Sequence, residues 1–181
     1  MNIAKSTWAC RKRLLSFFIM ATAVLTASSQ TYPPKDSPQL EFALQLRVHI
    51  SEPYTIGETA HGRRIVIPIT GGSFEGPSLK GTILSGGADY QLANADGTRT
   101  ELEAIYSIRT DDGVNIHVRN RGLVCDGKNA DGTPYYYFKA APQFEAPKDS
   151  RYAWLNDALF VCQPEWVKGF NGIVLNVWKV K

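Results

Sequence analysis

Asp89 is the residue whose neighbours best prepare it for chemistry. It stands near the end of the stretch Gly71 to Tyr90, which holds six of the fifteen glycines of the 181-residue chain. It follows Gly86-Gly87-Ala88 directly. Glycine this dense in a strand-like pattern marks sharp bends and close backbone approach. An acid placed after such a bend can be aimed into a barrel. Buried there without a partner it is costly. Its pKa then rises by desolvation, or falls beside an arginine. A carboxyl tuned in this way suits general acid or base work.

Arg109, Arg119 and Arg121 are the cations on or near the hairpin that follows. Arg109 or Arg119 would stabilise developing negative charge. The alternative is a structural Asp–Arg bridge that pins strands without chemistry. Tyr137 or Asn156 would orient a substrate. Asn156 also reads as the cap of the next turn, the more common role.

A second set of residues could line a pocket: Tyr106, Tyr135, Tyr136, Tyr137, Phe138, Phe144, Tyr152 and Trp154. An aromatic wall with a few polar tips suits a planar or apolar organic ligand. The same aromatics also read as ordinary core. Tyr135-Tyr136-Tyr137 must divide between two faces, and Tyr135 with Tyr137 is the pair expected inward.

Other chemistries lack their patterns. His49, His61 and His117 are scattered, and no paired Cys-x-x-Cys or His-Glu-x-x-His occurs, so no metal site is expected. There is no Gly-x-Ser-x-Gly elbow. The glycines follow strand-to-strand spacing and match neither a phosphate loop nor a dinucleotide fingerprint, so no cofactor is expected.

The elements that would position these residues are strands. Leu40, Phe42, Leu44, Leu46, Val48 and Ile50 alternate with Glu41, Ala43, Gln45, Arg47 and His49. That is a long half-buried strand. Residues 57–63 read as a turn. Ile65, Ile67 and Ile69 share a face, and Pro68 argues for an edge or bulge. Residues 79–84 and 88–92 flank Gly86-Gly87. Leu102, Ala104, Tyr106 and Ile108 share one face. Asp111-Asp112-Gly113 is a hairpin turn, and Val114, Ile116 and Val118 return opposite Asn115, His117 and Arg119. Residues 126–134 read as a loop, and a short helix is expected near Trp154 to Leu159.

The whole is all-β, with about nine strands and at most a short helix, as in a sandwich or barrel. Closing a sheet needs local kinks, so the glycine-rich centre favours a single antiparallel β-barrel over residues 40–181.

Before the barrel comes a targeting pattern. Lys5, Arg11, Lys12 and Arg13 precede an apolar run from Leu14 to Leu25, then Ala27, Ser28 and Ser29. Positive, apolar, small is the order of a secretory signal, expected over residues 1–29 with cleavage after Ala27 or Ser29. An uncleaved anchor is the alternative, though the run is short of the ~20 residues of a membrane span. Residues 30–39 would be a flexible lead-in. The mature barrel is expected to be periplasmic or secreted, without stable membrane insertion. The segment carries four of the twenty basic residues and none of the acidic ones, which leaves sixteen against seventeen. Near-neutral charge gives no electrostatic case for nucleic acid. An oxidising compartment lets Cys125 and Cys162 pair, or they stay as separate thiols.

Several of these runs resemble one family. Gly62-Arg63-Arg64, with Ile67-Pro68-Ile69-Thr70-Gly71-Gly72-Ser73-Phe74-Glu75-Gly76-Pro77, is similar to the first motif of the bacterial and fungal proteins grouped as Domain of Unknown Function 3237. Gly86-Gly87-Ala88-Asp89-Tyr90-Gln91 resembles its second motif. Residues 106–113, with 118–122, resemble the third. Tyr136-Tyr137-Phe138 with Pro142-Gln143-Phe144-Glu145, and Tyr152-Ala153-Trp154-Leu155-Asn156, resemble the last two. The resemblance implies a compact barrel with a central pocket, lipocalin-like in outline. For some fungal members it also implies ring-forming steps on polyketide-like substrates.

Two functional readings follow. One is an exported barrel that binds a small, partly aromatic organic molecule. The other is a cofactor-independent acid–base enzyme of cyclase or isomerase type. Edge-strand pairing into a homodimer is a further expectation, with Trp166, Phe170 and Trp178 exposed.

Overall fold

The computed structural model describes residues 37–181. The signal segment expected over 1–29 and most of the lead-in expected over 30–39 lie outside the described residues. Ten strands form: β1 Leu40–Ile50, β2 Tyr54–Thr59, β3 Gly62–Glu75, β4 Lys80–Ile83, β5 Gly87–Ala93, β6 Arg99–Thr110, β7 Asn115–Lys128, β8 Pro134–Glu145, β9 Phe160–Glu165 and β10 Gly172–Val180. The one helical element among the described residues is a 3₁₀ turn, Ala153–Asp157.

The sheet is antiparallel and closes on itself, because β1 pairs both β10 and β3. The ten strands occupy eight positions around the barrel. β4 and β5 share one position between β3 and β6, interrupted at Leu84 to Gly86. β1 and β2 similarly share one flank of β3, interrupted at Ser51 to Pro53. The sequence pattern already separates β4 from β5, so the tenth strand beyond its nine is β2, Tyr54–Thr59. The segment 57–63 is mostly strand, with Gly57 in a register shift, and the loop expected over 126–134 shortens to 129–133. Pro68 has no N–H to donate. It lies opposite the β1–β2 interruption, where Ser51 N–H donates to its carbonyl.

The barrel is filled at one end. Leu44, Leu46, Ile108, Ile116, Val118 and Val177 are buried, each from an inward position on its strand. Burying one such side chain contributes about 1.5–3 kcal/mol. Leu155 of the 3₁₀ turn plugs this end. Two polar ties hold the plug. The Tyr152 hydroxyl donates to Asp112 Oδ1 at 2.8 Å. The Asn156 amide grips Ala146 twice, accepting from its N–H at 2.8 Å and donating to its carbonyl at 3.0 Å.

The other end is not filled. Inward positions there carry Ile67, Asp89, Gln91, Leu102, Ala104 and Asn120, and they surround a cavity.

Candidate functional site

The cavity is built by strand parity. On β6, Leu102, Ala104 and Tyr106 share the inward face. On β5 the inward face carries Asp89 and Gln91, and on β7 it carries Asn120. Register sets their order. Asp89 pairs Ala104 on one side, and Ala104 pairs Asn120 on the other. The three form one row across three strands, with the shortest side chain in the middle. Tyr106 lies one inward step along β6 from Ala104.

The glycines make room for this arrangement. Gly86 has φ +102°, a backbone conformation that side chains resist. A Cβ on Gly87 would fall 2.4 Å from the Cβ of Tyr106. The bend therefore lets β5 press against β6 beneath the tyrosine, and two residues later Asp89 points inward.

Asp89 is held by two donors. Gln91 Nε2 donates to Oδ2 at 2.8 Å, and the backbone N–H of Glu103 donates to Oδ1 at 3.0 Å. Burial pushes the carboxyl above the usual carboxylate range. The two hydrogen bonds pull the other way, and the nearby Glu103 charge adds to the upward push. Burial likewise pushes the Tyr106 phenol above its usual range, with smaller contributions from Cys162 and Asp89.

Two polar atoms on this wall are unserved. The hydroxyl of Tyr106 and Oδ1 of Asn120 are buried and have no hydrogen-bond partner among the described residues. Both residues are more than nine-tenths buried, at 4% and 6% exposure. Buried polar atoms in native proteins are nearly always paired. The rest of the lining is apolar, including Ile50, Ile67, Leu102, Phe138 and Ile173. The cavity measures about 70 Å³, and its lining includes Trp166, which is 63% exposed. Drug-sized pockets run to roughly 300–1,000 Å³, so anything beyond a small fragment requires the cavity to widen.

The structure brings Asp89 and Tyr106 together and places the other candidates elsewhere. Arg119 and Arg121 point outward, where both bond Glu103. Arg109 is also outward and donates to Asn115 Oδ1 at 2.8 Å. Strand parity is the reason: Arg119 neighbours the inward Val118 and Asn120, so it faces away. Among the described residues no arginine side chain is a hydrogen-bond partner of Asp89. Tyr137 lies in an outer groove beside Lys139, Val161 and Trp178. Tyr135 is exposed at the start of β8. Phe144 is buried at the filled end against Phe160, their ring centroids 5.0 Å apart. Trp154 packs on the same Phe160 at 6.1 Å. Asn156 is occupied with Ala146. Cys125 and Cys162 are free thiols. Among the described residues no group of three His, Cys, Asp or Glu is placed to hold a metal ion.

Two cavity residues escaped the sequence reading. Gln91 lies two positions after Asp89 and so shares its face. Asn120 continues the stripe Ile116, Val118. A polar residue ending an apolar stripe was the available signal.

Known proteins share this architecture. The model of the family described as "Protein of unknown function (DUF3237)" matches residues 38–180. A UPF0311 protein of Clostridium acetobutylicum is 35% identical over 133 residues, 67% of this chain and 82% of that protein. The crystal structure of a beta-barrel like protein from Acinetobacter baumannii superposes with a TM-score of 0.70 at 32% identity, covering 83% of this chain and 100% of that one. The hydroalkoxylation enzyme phnH of Penicillium herquei is 27% identical over 163 residues, 90% of this chain and 95% of that enzyme.

Proposed function

The chain belongs to the DUF3237 family of proteins of unknown function, and on that premise we propose that its cavity is a cofactor-independent acid–base site for a small, mainly apolar organic molecule. One observation carries the reading. Asp89 is the single carboxyl among the described residues that line the cavity, and its surroundings raise its affinity for a proton. A carboxyl poised in this way can give a proton to a substrate atom and take one back from another. The catalyst is then restored without a cofactor, and such transfer contributes typically 10²–10⁴-fold in rate. Hydroalkoxylation, the reaction named for the fungal relative, adds O–H across an unsaturated bond and needs a proton moved in this manner.

The test uses Asp89→Asn on a panel of alkenyl phenols, with cyclised isomers read by chromatography. Turnover is expected to fall by roughly 10²–10⁴-fold. Undiminished turnover in the variant overturns the proposal, as does an Asp89 carboxyl that titrates in the ordinary range by ¹³C NMR.

Binding without turnover is the second reading. It is favoured because both oxygens of Asp89 already accept hydrogen bonds, as they would in an acid that only pins strands. We also propose export of the mature barrel, supported by the order of basic, apolar and small residues from Lys5 to Ser29. Intact-mass analysis of protein from its own host tests this, since cleavage after Ala27 or Ser29 fixes the mass.

A further inference from the structure

We propose that Ala104 forms a notch in the barrel wall that receives a neutral hydroxyl group of the ligand, accepting from Tyr106 and donating to Asn120. The inference rests on the acid–base reading of the same cavity and adds the chemical class of what it holds.

The row Asp89–Ala104–Asn120 supplies the shape. Adjacent strands lie about 4.8 Å apart, so the flanking residues stand roughly 10 Å apart across Ala104. Any longer side chain at 104 would fill the space between them. Ala104 is thereby a specificity-determining residue.

The unserved atoms supply the chemistry. Tyr106 has an O–H that needs an acceptor, and Asn120 Oδ1 needs a donor. A hydroxyl provides both from one atom. A carboxylate provides acceptors only, and it would bring negative charge beside Asp89 with no cation among the described residues of the cavity wall. A hydrocarbon serves neither atom and keeps their desolvation uncompensated. The apolar remainder of the lining takes the carbon skeleton. A phenol or hydrophobic alcohol fits; an organic acid does not.

The probes are 4-fluorophenol, 4-fluorotoluene and 4-fluorobenzoate, followed by ¹⁹F NMR titration of the full mature barrel. The phenol is expected to bind roughly tenfold tighter than the toluene, with the benzoate weakest. Tyr106→Phe and Asn120→Leu are each expected to pull the phenol-to-toluene ratio toward one. Ala104→Leu is expected to abolish phenol binding. If Asn120→Leu fails to fold, Tyr106→Phe, which removes one oxygen, still decides the matter. Equal affinity for phenol and toluene overturns the notch, and so does a preference for benzoate. If either result comes with turnover that depends on Asp89, the acid–base reading survives alone. If the phenol preference holds and responds to both variants while Asp89→Asn keeps full turnover, the notch survives and the acid–base reading fails.

Discussion

Gly87 and Tyr106 touch through the space a side chain would occupy: a methyl on the glycine would lie 2.4 Å from the tyrosine Cβ. No contact that short is tolerated, so one residue yields. Gly87→Ala is expected to destabilise the barrel by about 1–3 kcal/mol, the usual range for overpacking. In a domain of this size that lowers Tm by roughly 2–10 °C. The same variant shifts Tyr106 away from the cavity, so 4-fluorophenol affinity falls along with stability. Calorimetry and the ¹⁹F titration check the two effects separately. An unchanged Tm would show that β5 does not press on β6 here.

Asp89 sets a pH dependence of stability. Its folded pKa is raised above the ordinary value of 3.8. Between the two values the folded state holds more protons than the unfolded state. The Asp89 contribution is therefore fully present below the ordinary value and is lost as pH rises through the folded one. Asp89→Asn removes this term, so the wild-type urea midpoint should decline relative to that of the variant as pH rises from 4 to 7. Parallel midpoint curves for the two proteins would contradict the placement of the carboxyl.

Asn156 holds the plug. Its amide makes two bonds to Ala146. Asn156→Ala is expected to lower stability by about 1–3 kcal/mol, at roughly 0.5–1.5 kcal/mol per hydrogen bond. Affinity for 4-fluorophenol should stay within about twofold, because the two sites lie at opposite ends of the barrel. Loss of affinity at unchanged stability would give Asn156 the orienting role instead.

The arginines on the outer face behave as surface charges. Arg119 pairs Glu103 with side chains 43% and 33% exposed. Such pairs are worth about 0–1 kcal/mol. Arg119→Gln and Arg109→Gln should each leave phenol affinity within about twofold, and salt should blunt what little stability changes. A tenfold loss of affinity in either would mean that the guanidinium reaches the cavity.

The strands were legible because period-two alternation is a local property. Val118 opposite Arg119, and Tyr106 out of step with Arg109, already separated inward from outward residues. Gly86-Gly87 also announced a bend ahead of Asp89. Register across the bend was not legible. Parity says that Asp89 points inward and the arginines outward, but only the pairing of β5 with β6 says that Asp89 meets Ala104 and the Glu103 N–H. Asn156 shows the same limit. Its sequence position allows a cap or a ligand contact, and the choice falls to Ala146, ten residues earlier in the chain, through tertiary packing.

The join between β8 and β9 gives the closed ring a point of least resistance. These strands are paired in register only at Ala140 and Cys162. Lys139 and Gln163 add a side-chain link on the outer surface. Ala140 and Pro164 form part of the cavity lining just inside that join. Local opening follows the fewest backbone bonds, so the ring is most weakly tied along this line. Cys162 sits on this line, buried, its thiol pushed up to about 12. Burial keeps the thiol protonated, and a thiol in this state is a poor nucleophile. Its alkylation rate is thus a clock for how often the barrel unzips.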